Sequence, residues 1–481
     1  MSTHQPNVVL ILADQLRRAA VGVAGDANVS TPNIDTLAAD GVRFSNACAT
    51  YPVCVPTRFS LMTGEYAHSR GVPAIDYQLS PAETTIADVF DEAGYQTAYI
   101  GKWHLAGHHA YRYESGTDIA RDLNRKAIRP AVRGGFDYWR GFELRNGPFD
   151  TVYFADDDPT PRPIEGYQTD GLFDLACEFL DEREDDRPYF LVISVEPPHP
   201  PLVAPSPDLE RWQDRPVEPR PNVPLGNEER LPSGYRSWGS TQTGTAAVTE
   251  DPYARDTVLD DLRKYYAMIE NLDRNVGQFT NELIARGIRE ESALAFLSDH
   301  GELLGSHGLR GKQHPFEESV GVPFIVSYPD GGIDGGRVIE EPTNTEDWYP
   351  TLLGLAGMEA DEKPGVDLTP VMRGEQSDLD REGVLLEFVR EDRPNAPYND
   401  ETWRAYRTVD YKYVVKGGIR GGEPWQLFDL AADPYERRNL VDDPAYANVA
   451  TRMHGLLLAT LERTADDYRL KPAFGHDGYL V

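Results

Sequence analysis

The sequence predicts an α/β fold: a large, mostly parallel central sheet flanked by helices, with a smaller C-terminal subdomain built on an antiparallel sheet. Two observations carry this. Short apolar runs alternate with helical segments through the first part of the chain, the order expected of strands joined by helical crossovers. Beyond about residue 380 the pattern changes to short, more polar strands and a terminal helix. The expected division is therefore an N-terminal domain over 1–380 and a C-terminal subdomain over 381–481.

In chain order, Val8-Val9-Leu10-Ile11-Leu12 is apolar without alternation, as in a central strand covered on both faces. A helix is expected over 85–93, with Gly94 as its left-handed cap, followed by a strand over 97–100. Further strands are read at 190–195 and 293–297. Between them a long helix runs from about 256 to 286 and is closed by Gly287. In it Ile269, Leu272, Val276, Phe279 and Leu283 recur at steps of three and four, one buried stripe. The C-terminal strands fall at 405–408 and 411–415, with a helix near 444–463. Two stretches break the rhythm, 106–170 and 197–250, and loops of that length are expected to be lids or specificity inserts.

Composition narrows the class. With 481 residues, 40% of them hydrophobic, the chain can bury a large core, and 3 cysteines exclude a disulfide scaffold or a four-thiolate zinc site. The formal charge of −32 sets 79 acidic against 47 basic residues, of which 8 are lysines, so no nucleic-acid partner is expected. A lysine-poor acidic surface stays hydrated in concentrated salt, and a GC-rich genome also trades Lys for Arg; both readings stand. No run approaches the roughly 20 apolar residues of a membrane helix, and the start lacks the basic flank of a secretory signal. The expectation is a soluble cytoplasmic protein with no membrane partner and an oligomeric state that the sequence does not specify.

Each of the four apolar strands in the first 300 residues runs directly into residues that metal and anion chemistry would use. The first ends in Asp14-Gln15, the second in Gly101-Lys102-Trp103-His104, the third in Glu196-Pro197-Pro198-His199, and the fourth in Asp299-His300-Gly301-Glu302. Singly, such an Asp is usually a helix cap and such a Lys or His a surface group. Together they are notable, because open α/β sheets bind ligands at the carboxyl ends of their strands. Oxygen donors from Asp14, Gln15 and Asp299 suit a hard divalent cation, and an imidazole from His300 is compatible with it.

The most specific segment is Cys54-Val55-Pro56-Thr57-Arg58, followed by Thr63-Gly64. It places a thiol four residues before a guanidinium at an expected helix start, where dipole and charge would both favour an anion. Cys-x-Pro-x-Arg with Thr-Gly beyond it resembles the modification signature of the type I sulfatases. The resemblance spans nearly the whole chain. It includes Thr31-Pro32-Asn33-Ile34-Asp35, Gly101-Lys102-Trp103-His104, Gly305-Ser306-His307-Gly308 with Gly311-Lys312, Tyr349-Pro350-Thr351-Leu352-Leu353, and Leu427-Phe428-Asp429-Leu430 with Asp433-Pro434.

The resemblance implies an alkaline-phosphatase-like fold and a hydrolase acting on sulfuric esters. It implies that a formylglycine-generating enzyme converts Cys54 to formylglycine, whose hydrate attacks sulfur. Asp14, Gln15, Cys54, Asp299 and His300 would hold one divalent cation, with Ca2+ favoured and Mn2+ or Mg2+ compatible. Arg58 would hold the aldehyde hydrate, and Lys102, His199 and Lys312 would bind sulfate oxygens, with His199 or Lys312 as proton donor to the leaving alcohol. His104 would be the base that regenerates the aldehyde. The expected substrate is a small sugar sulfate.

The chain departs from the commonest family pattern in two ways. Asp14-Gln15 and Asp299-His300 replace Asp-Asp and Asp-Asn, a combination that resembles a branch also holding phosphonate monoester and phosphodiester hydrolases. Gly321 stands where an Arg is frequent before Val322-Pro323-Phe324. The alternatives are thus a phosphonate monoester or phosphodiester hydrolase on the same site, or a non-catalytic relative that binds a sulfated glycan. Pocket-rim residues are sought in the two inserts and in 387–404, among them Arg112, Tyr113, Arg121, Arg125, Trp403 and Arg404.

Overall fold

The computed structural model describes residues 5–75, 77–107, 126–145, 147–183, 187–224, 255–360, 362–390, 402–417 and 421–470. Arg112, Tyr113, Arg121 and Arg125 lie outside the described residues. Ten strands form the main sheet: β1 Asn7–Asp14, β2 Val42–Phe44, β3 Gln96–Lys102, β4 Tyr138–Phe142, β5 Val152–Ala155, β6 Arg162–Pro163, β7 Tyr189–Pro198, β8 Ser292–Ser298, β9 Phe324–Ser327 and β10 Arg337–Ile339. Their order is β10-β2-β9-β8-β1-β7-β3-β4-β5-β6.

The middle of this sheet is parallel. β8, β1, β7, β3 and β4 pair in the same direction, and antiparallel pairs occur toward the edges, at β8–β9, β2–β9, β4–β5 and β5–β6. The four strands that lead into candidate chemistry, β8, β1, β7 and β3, are therefore consecutive neighbours with a common carboxyl edge. β1 is buried along its whole length, and its side chains alternate between two cores. Val8, Leu10 and Leu12 join one core with Val55, Phe59, Phe90 and Trp348; Val9, Ile11 and Ala13 join the other with Leu172, Phe179, Ile269 and Leu272.

Helices cover both faces. Cys54–Thr63, Ile86–Glu92 and Thr345–Leu355 contribute to the first core, and Pro32–Ala39, Gln168–Glu182 and Arg255–Ala285 to the second. Thr85 caps the second of these helices in a reciprocal box with Asp88, and Gly94 follows it with a φ of 87°. The long helix presents Ile269, Leu272, Val276, Phe279 and Leu283 as its buried stripe, and Gly287 follows with a φ of 72°. Among the described residues no helix is long and apolar enough to cross a membrane.

The 106–170 stretch is not wholly an irregular insert: it supplies β4, β5 and β6, which extend the sheet past β3. Their short, mixed-polarity sequences carry little strand signal: β4 is buried but includes Arg140 and Gly141, β5 is half-buried, and β6 is two exposed residues. The second sheet is antiparallel, in the order β11 Gly383–Phe388, β12 Trp403–Thr408, β13 Tyr411–Lys416 and β14 Glu423–Asp429, and the helix Ala447–Arg463 packs on it.

Ion pairs join this sheet to the main one. Glu317 meets Lys412 at 3.0 Å, Arg407 at 3.4 Å and Arg18 at 2.7 Å, while Lys412 also reaches Glu436 at 2.6 Å. Arg18 also lies where a side chain at 321 would have to pass. Its guanidinium lies against Gly321, where a Cβ would be 3.2 Å from the guanidinium carbon and 2.6 Å from the Glu317 carbonyl oxygen.

Candidate active site

β1 delivers Asp14 to the carboxyl edge of the sheet, fully buried, and the chain then turns through Gln15 in the left-handed region, φ 68°. The turn is held from two sides: Gln15 N–H donates to Asp299 Oδ1 at 3.1 Å, and its carbonyl accepts from the Tyr265 hydroxyl at 2.7 Å. β8 delivers Asp299 and His300, both fully buried. His300 Nδ1 lies 3.0 Å from the Gly301 carbonyl, which can only accept, so the proton sits on Nδ1 and Nε2 presents its lone pair to the cluster. Burial holds this imidazole down to about 4, so it is neutral.

Cys54 opens the helix Cys54–Thr63, which Gly64 closes with a φ of 71°. The sulfur lies 3.1 Å from His300 Nε2 and 3.6 Å from Asp14 Oδ1. Ligand atoms of Asp14, Cys54, Asp299 and His300 all fall within 4.8 Å of one another. Burial, with Asp14 beside it, pushes the thiol up to about 11 against the opposing pull of Lys312 and Lys102. Arg58 is instead engaged with other partners: Nε meets Asp299 Oδ2 at 3.1 Å, and another guanidinium nitrogen donates to Ser194 Oγ at 2.8 Å and to the Lys102 carbonyl at 3.0 Å.

Lys102, at the end of β3, is fully buried and bonded to Asp14 Oδ2. Burial opposes its charge, but Asp14 together with its other anionic neighbours, Glu196 among them, outweighs burial and the ammonium is retained. Lys312 Nζ donates to Gln15 Oε1 at 2.6 Å and lies 3.4 Å from Cys54 Sγ. The Asp14 carboxyl, penalised by burial, is nonetheless held well below the usual carboxylate range by Lys102, with Arg58 and Lys312 adding to the pull. His199 follows β7, with Nδ1 2.7 Å from the Pro200 carbonyl; burial and Lys312 together lower its pKa. His104 is buried two residues past Lys102 on left-handed backbone, φ 63°.

Three cationic side chains, Arg58, Lys102 and Lys312, thus gather around Asp14 and Asp299 in a protein of charge −32, with Glu196 4.0 Å from Lys102 and Glu302 against the Gln15 amide. The buried oxygen donors, with one imidazole whose Nδ1–H is fixed on a carbonyl, fit a hard divalent cation.

Four supporting residues had no role assigned from the sequence. Ser194 and Tyr265 hold Arg58 and the Gln15 turn, and Glu196 lies 4.0 Å from Lys102. Glu302 stands two residues after His300 and accepts from the Gln15 amide. Only Glu196 and Glu302 were visible, as carboxylates beside the strand-end motifs. Two expected rim residues belong elsewhere. Trp403 is buried, donating Nε1–H to the Gln313 carbonyl at 2.9 Å, and Arg404 is buried against Asp466. β12 is an inner strand of the second sheet, so alternate residues point into packed interfaces rather than toward solvent.

A parallel sheet carrying an anion-receptive, cation-competent cluster at its carboxyl edge, with a second antiparallel sheet beside it, is the alkaline-phosphatase-like architecture. The profile of the sulfatase family matches residues 6–358, and that of the N-sulphoglucosamine sulphohydrolase C-terminal region matches residues 305–463. The chain belongs to the sulfatase family, hydrolases of sulfuric ester bonds within the alkaline phosphatase superfamily.

It is 32% identical over 474 residues to an ulvan-active sulfatase of Formosa agariphila, covering 97% of this chain and 83% of that one. It is 25% identical over 523 residues to an N-acetylglucosamine-6-O-sulfatase of Bacteroides thetaiotaomicron, covering 97% and 88%. The crystal structure of the putative sulfatase yidJ from Bacteroides fragilis superposes with a TM-score of 0.80 at 26% identity, covering 97% of this chain and 98% of that one.

Proposed function

We propose that this sulfatase cleaves the sulfate ester of a small carbohydrate, using a formylglycine made from Cys54 and one divalent cation. The observation that carries the proposal is the meeting of Cys54 with Asp14, Asp299 and His300 within 4.8 Å, beside Lys102 and Lys312. The sugar assignment is supported by the similarity to the N-acetylglucosamine-6-O-sulfatase.

Asp14, Gln15, Asp299 and His300, with residue 54, would hold the cation; the predominance of oxygen donors favours Ca2+, with Mn2+ or Mg2+ compatible. When bound, the cation would neutralise a sulfate oxygen and make the nucleophile more acidic. Conversion of Cys54 by a formylglycine-generating enzyme would supply a hydrated aldehyde as that nucleophile.

The chain's own residues do the rest. Lys102, His199 and Lys312 bind the sulfate oxygens and offset charge as it develops on the ester oxygen. Lys312 is the better placed proton donor, because the neutral His199 keeps its one proton on Nδ1, against the Pro200 carbonyl. Arg58, anchored by Asp299 and Ser194, orients residue 54, and His104 is the base for return of the resting state.

Gln15 favours a second reading. An amide in place of a carboxylate removes one charge from the oxygen donors themselves, with the Glu302 carboxylate one residue further out, and such a site suits a phosphonate monoester or phosphodiester equally well. The deciding experiment uses protein co-expressed with the formylglycine-generating enzyme and compares 4-nitrophenyl sulfate with a phenyl phosphonate ester, with Cys54→Ala as blank. Sulfate release that vanishes in the blank supports the proposal; preference for the phosphonate overturns it in favour of the second reading.

A further inference from the structure

We propose that Glu302 is a positioning residue that sets the orientation of the Gln15 amide and returns, one residue further out, the negative charge that Gln15 lacks; this rests on the cation site proposed above. The Gln15 side chain stands between partners of opposite kind. Its Oε1 accepts from Lys312 Nζ at 2.6 Å and its Nε2 donates to Glu302 Oε2. An amide rotated by half a turn would set N–H against an ammonium and an oxygen against a carboxylate, so only the observed orientation satisfies both. That orientation turns Oε1 toward the side where Lys312 meets the Cys54 sulfur.

Glu302 is itself fixed. It is buried, and its other oxygen accepts from the backbone N–H of Leu304 at 2.8 Å and of Gly311 at 2.7 Å. Gly311 immediately precedes Lys312. One carboxylate therefore holds both groups that meet at Gln15 Oε1, the amide through Nε2 and the lysine loop through Gly311. The identities are matched as well: a carboxylate at position 15 would face Glu302 with like charge and no proton to share. Gln15 and Glu302 form a unit in which the amide supplies the oxygen and the glutamate supplies the charge.

The test is a double-mutant cycle on holoprotein stripped with chelator, with Ca2+ and Mn2+ each titrated by calorimetry and sulfate-ester turnover measured beside them. Glu302→Ala and Gln15→Ala should each weaken cation binding about 10- to 100-fold. The double variant should be no more than about twofold worse than Gln15→Ala alone, because Glu302 acts through Gln15. Glu302→Gln keeps an acceptor for Leu304 and Gly311 but turns a donor to Gln15, so it should remain folded, more stable than Glu302→Ala, and still lose affinity.

Additive losses, or parental affinity in Glu302→Gln, overturn the inference. Parent protein that takes up neither cation overturns the cation site and this inference with it. Parent protein that binds a cation yet turns over no sulfate ester overturns only the sulfatase mechanism, and the cycle still reads out on binding.

Discussion

Lys102 reaches across the width of β7 to pair with Asp14, and both side chains are fully buried. Lysine and aspartate come from β3 and β1, which do not touch as paired strands, so the contact exists only because β7 holds them one strand apart at a common edge. Buried pairs of this kind are costly to break from one side, since the remaining charge has no water to return to.

Lys102→Ala should therefore destabilise the cation-free protein by about 3–5 kcal/mol in urea unfolding, leaving Asp14 with Arg58 3.5 Å away as its nearest cationic partner. Added Ca2+ should recover much of that loss, because a bound cation would take over the neutralisation of Asp14. Equal losses with and without Ca2+ would separate Asp14 from any cation site.

A second prediction concerns pH. His68 Nδ1 meets Glu387 Oε2 at 2.6 Å and Nε2 lies 3.1 Å from the Thr464 carbonyl. Burial opposes the imidazolium, but Glu387 and Asp466 outweigh it and raise the pKa to about 9. The folded state thus binds the proton more tightly than the unfolded one. The stabilisation is complete below about pH 6.5 and lost as pH rises through 9, at most about 3 kcal/mol in all. His68→Ala should flatten the stability profile between those limits, measured by denaturant unfolding at a series of pH values.

Glu346 works in an overlapping window. Burial pushes it up to about 8, with Glu387 adding repulsion. A raised carboxyl leaves stability untouched below its unfolded pKa and erodes it as pH climbs toward 8. Glu346→Gln keeps an acceptor for the Thr50 hydroxyl and removes the charge. It should stabilise the protein at pH 8.5 and be close to neutral at pH 4.5; destabilisation at both would show that the carboxylate is needed in its charged form.

The strand ends were legible because parallel strands announce themselves as unbroken apolar runs and their chemistry follows immediately in sequence. Asp14, Lys102, His199 and Asp299 could each be placed on a strand end, and the strand order then made them neighbours. Less was legible where function depends on contacts distant in sequence. The pull of Asp14 on the Cys54 thiol, the anchoring of Arg58 by Ser194, and the burial of Trp403 and Arg404 are all set by residues more than 35 positions away. Strands β4 to β6 were missed for the opposite reason: β4 is buried but interrupted by Arg140 and Gly141, β5 is half-buried, and the two-residue edge strand β6 is exposed, so none carries an apolar run.

Gly101 marks where β3 must pass close to β7. Its φ is 107°, and a Cβ there would sit 1.9 Å from the Ser194 carbonyl oxygen. Gly101→Ala should force β3 away from β7 at the point that delivers Lys102, costing several kcal/mol, on the order of 3 or more. Soluble, parent-like protein with full turnover would show that the edge yields without moving Lys102.

The last prediction links the two sheets to the site. Trp403, on β12, donates Nε1–H to the carbonyl of Gln313, which follows Lys312 and has a left-handed φ of 82°. The second sheet thereby braces the loop that places Lys312 against Gln15 and Cys54. Trp403→Phe keeps most of the ring volume and removes one neutral hydrogen bond, worth about 1 kcal/mol. If the bond braces the loop, the loss should appear as a three- to tenfold fall in kcat/KM for a sulfate ester, roughly the same energy expressed at the site. A variant that loses about 1 kcal/mol of stability but keeps parental kcat/KM would confine Trp403 to packing, and the placement of Lys312 would then rest on Gly311 and Glu302 without help from the second sheet.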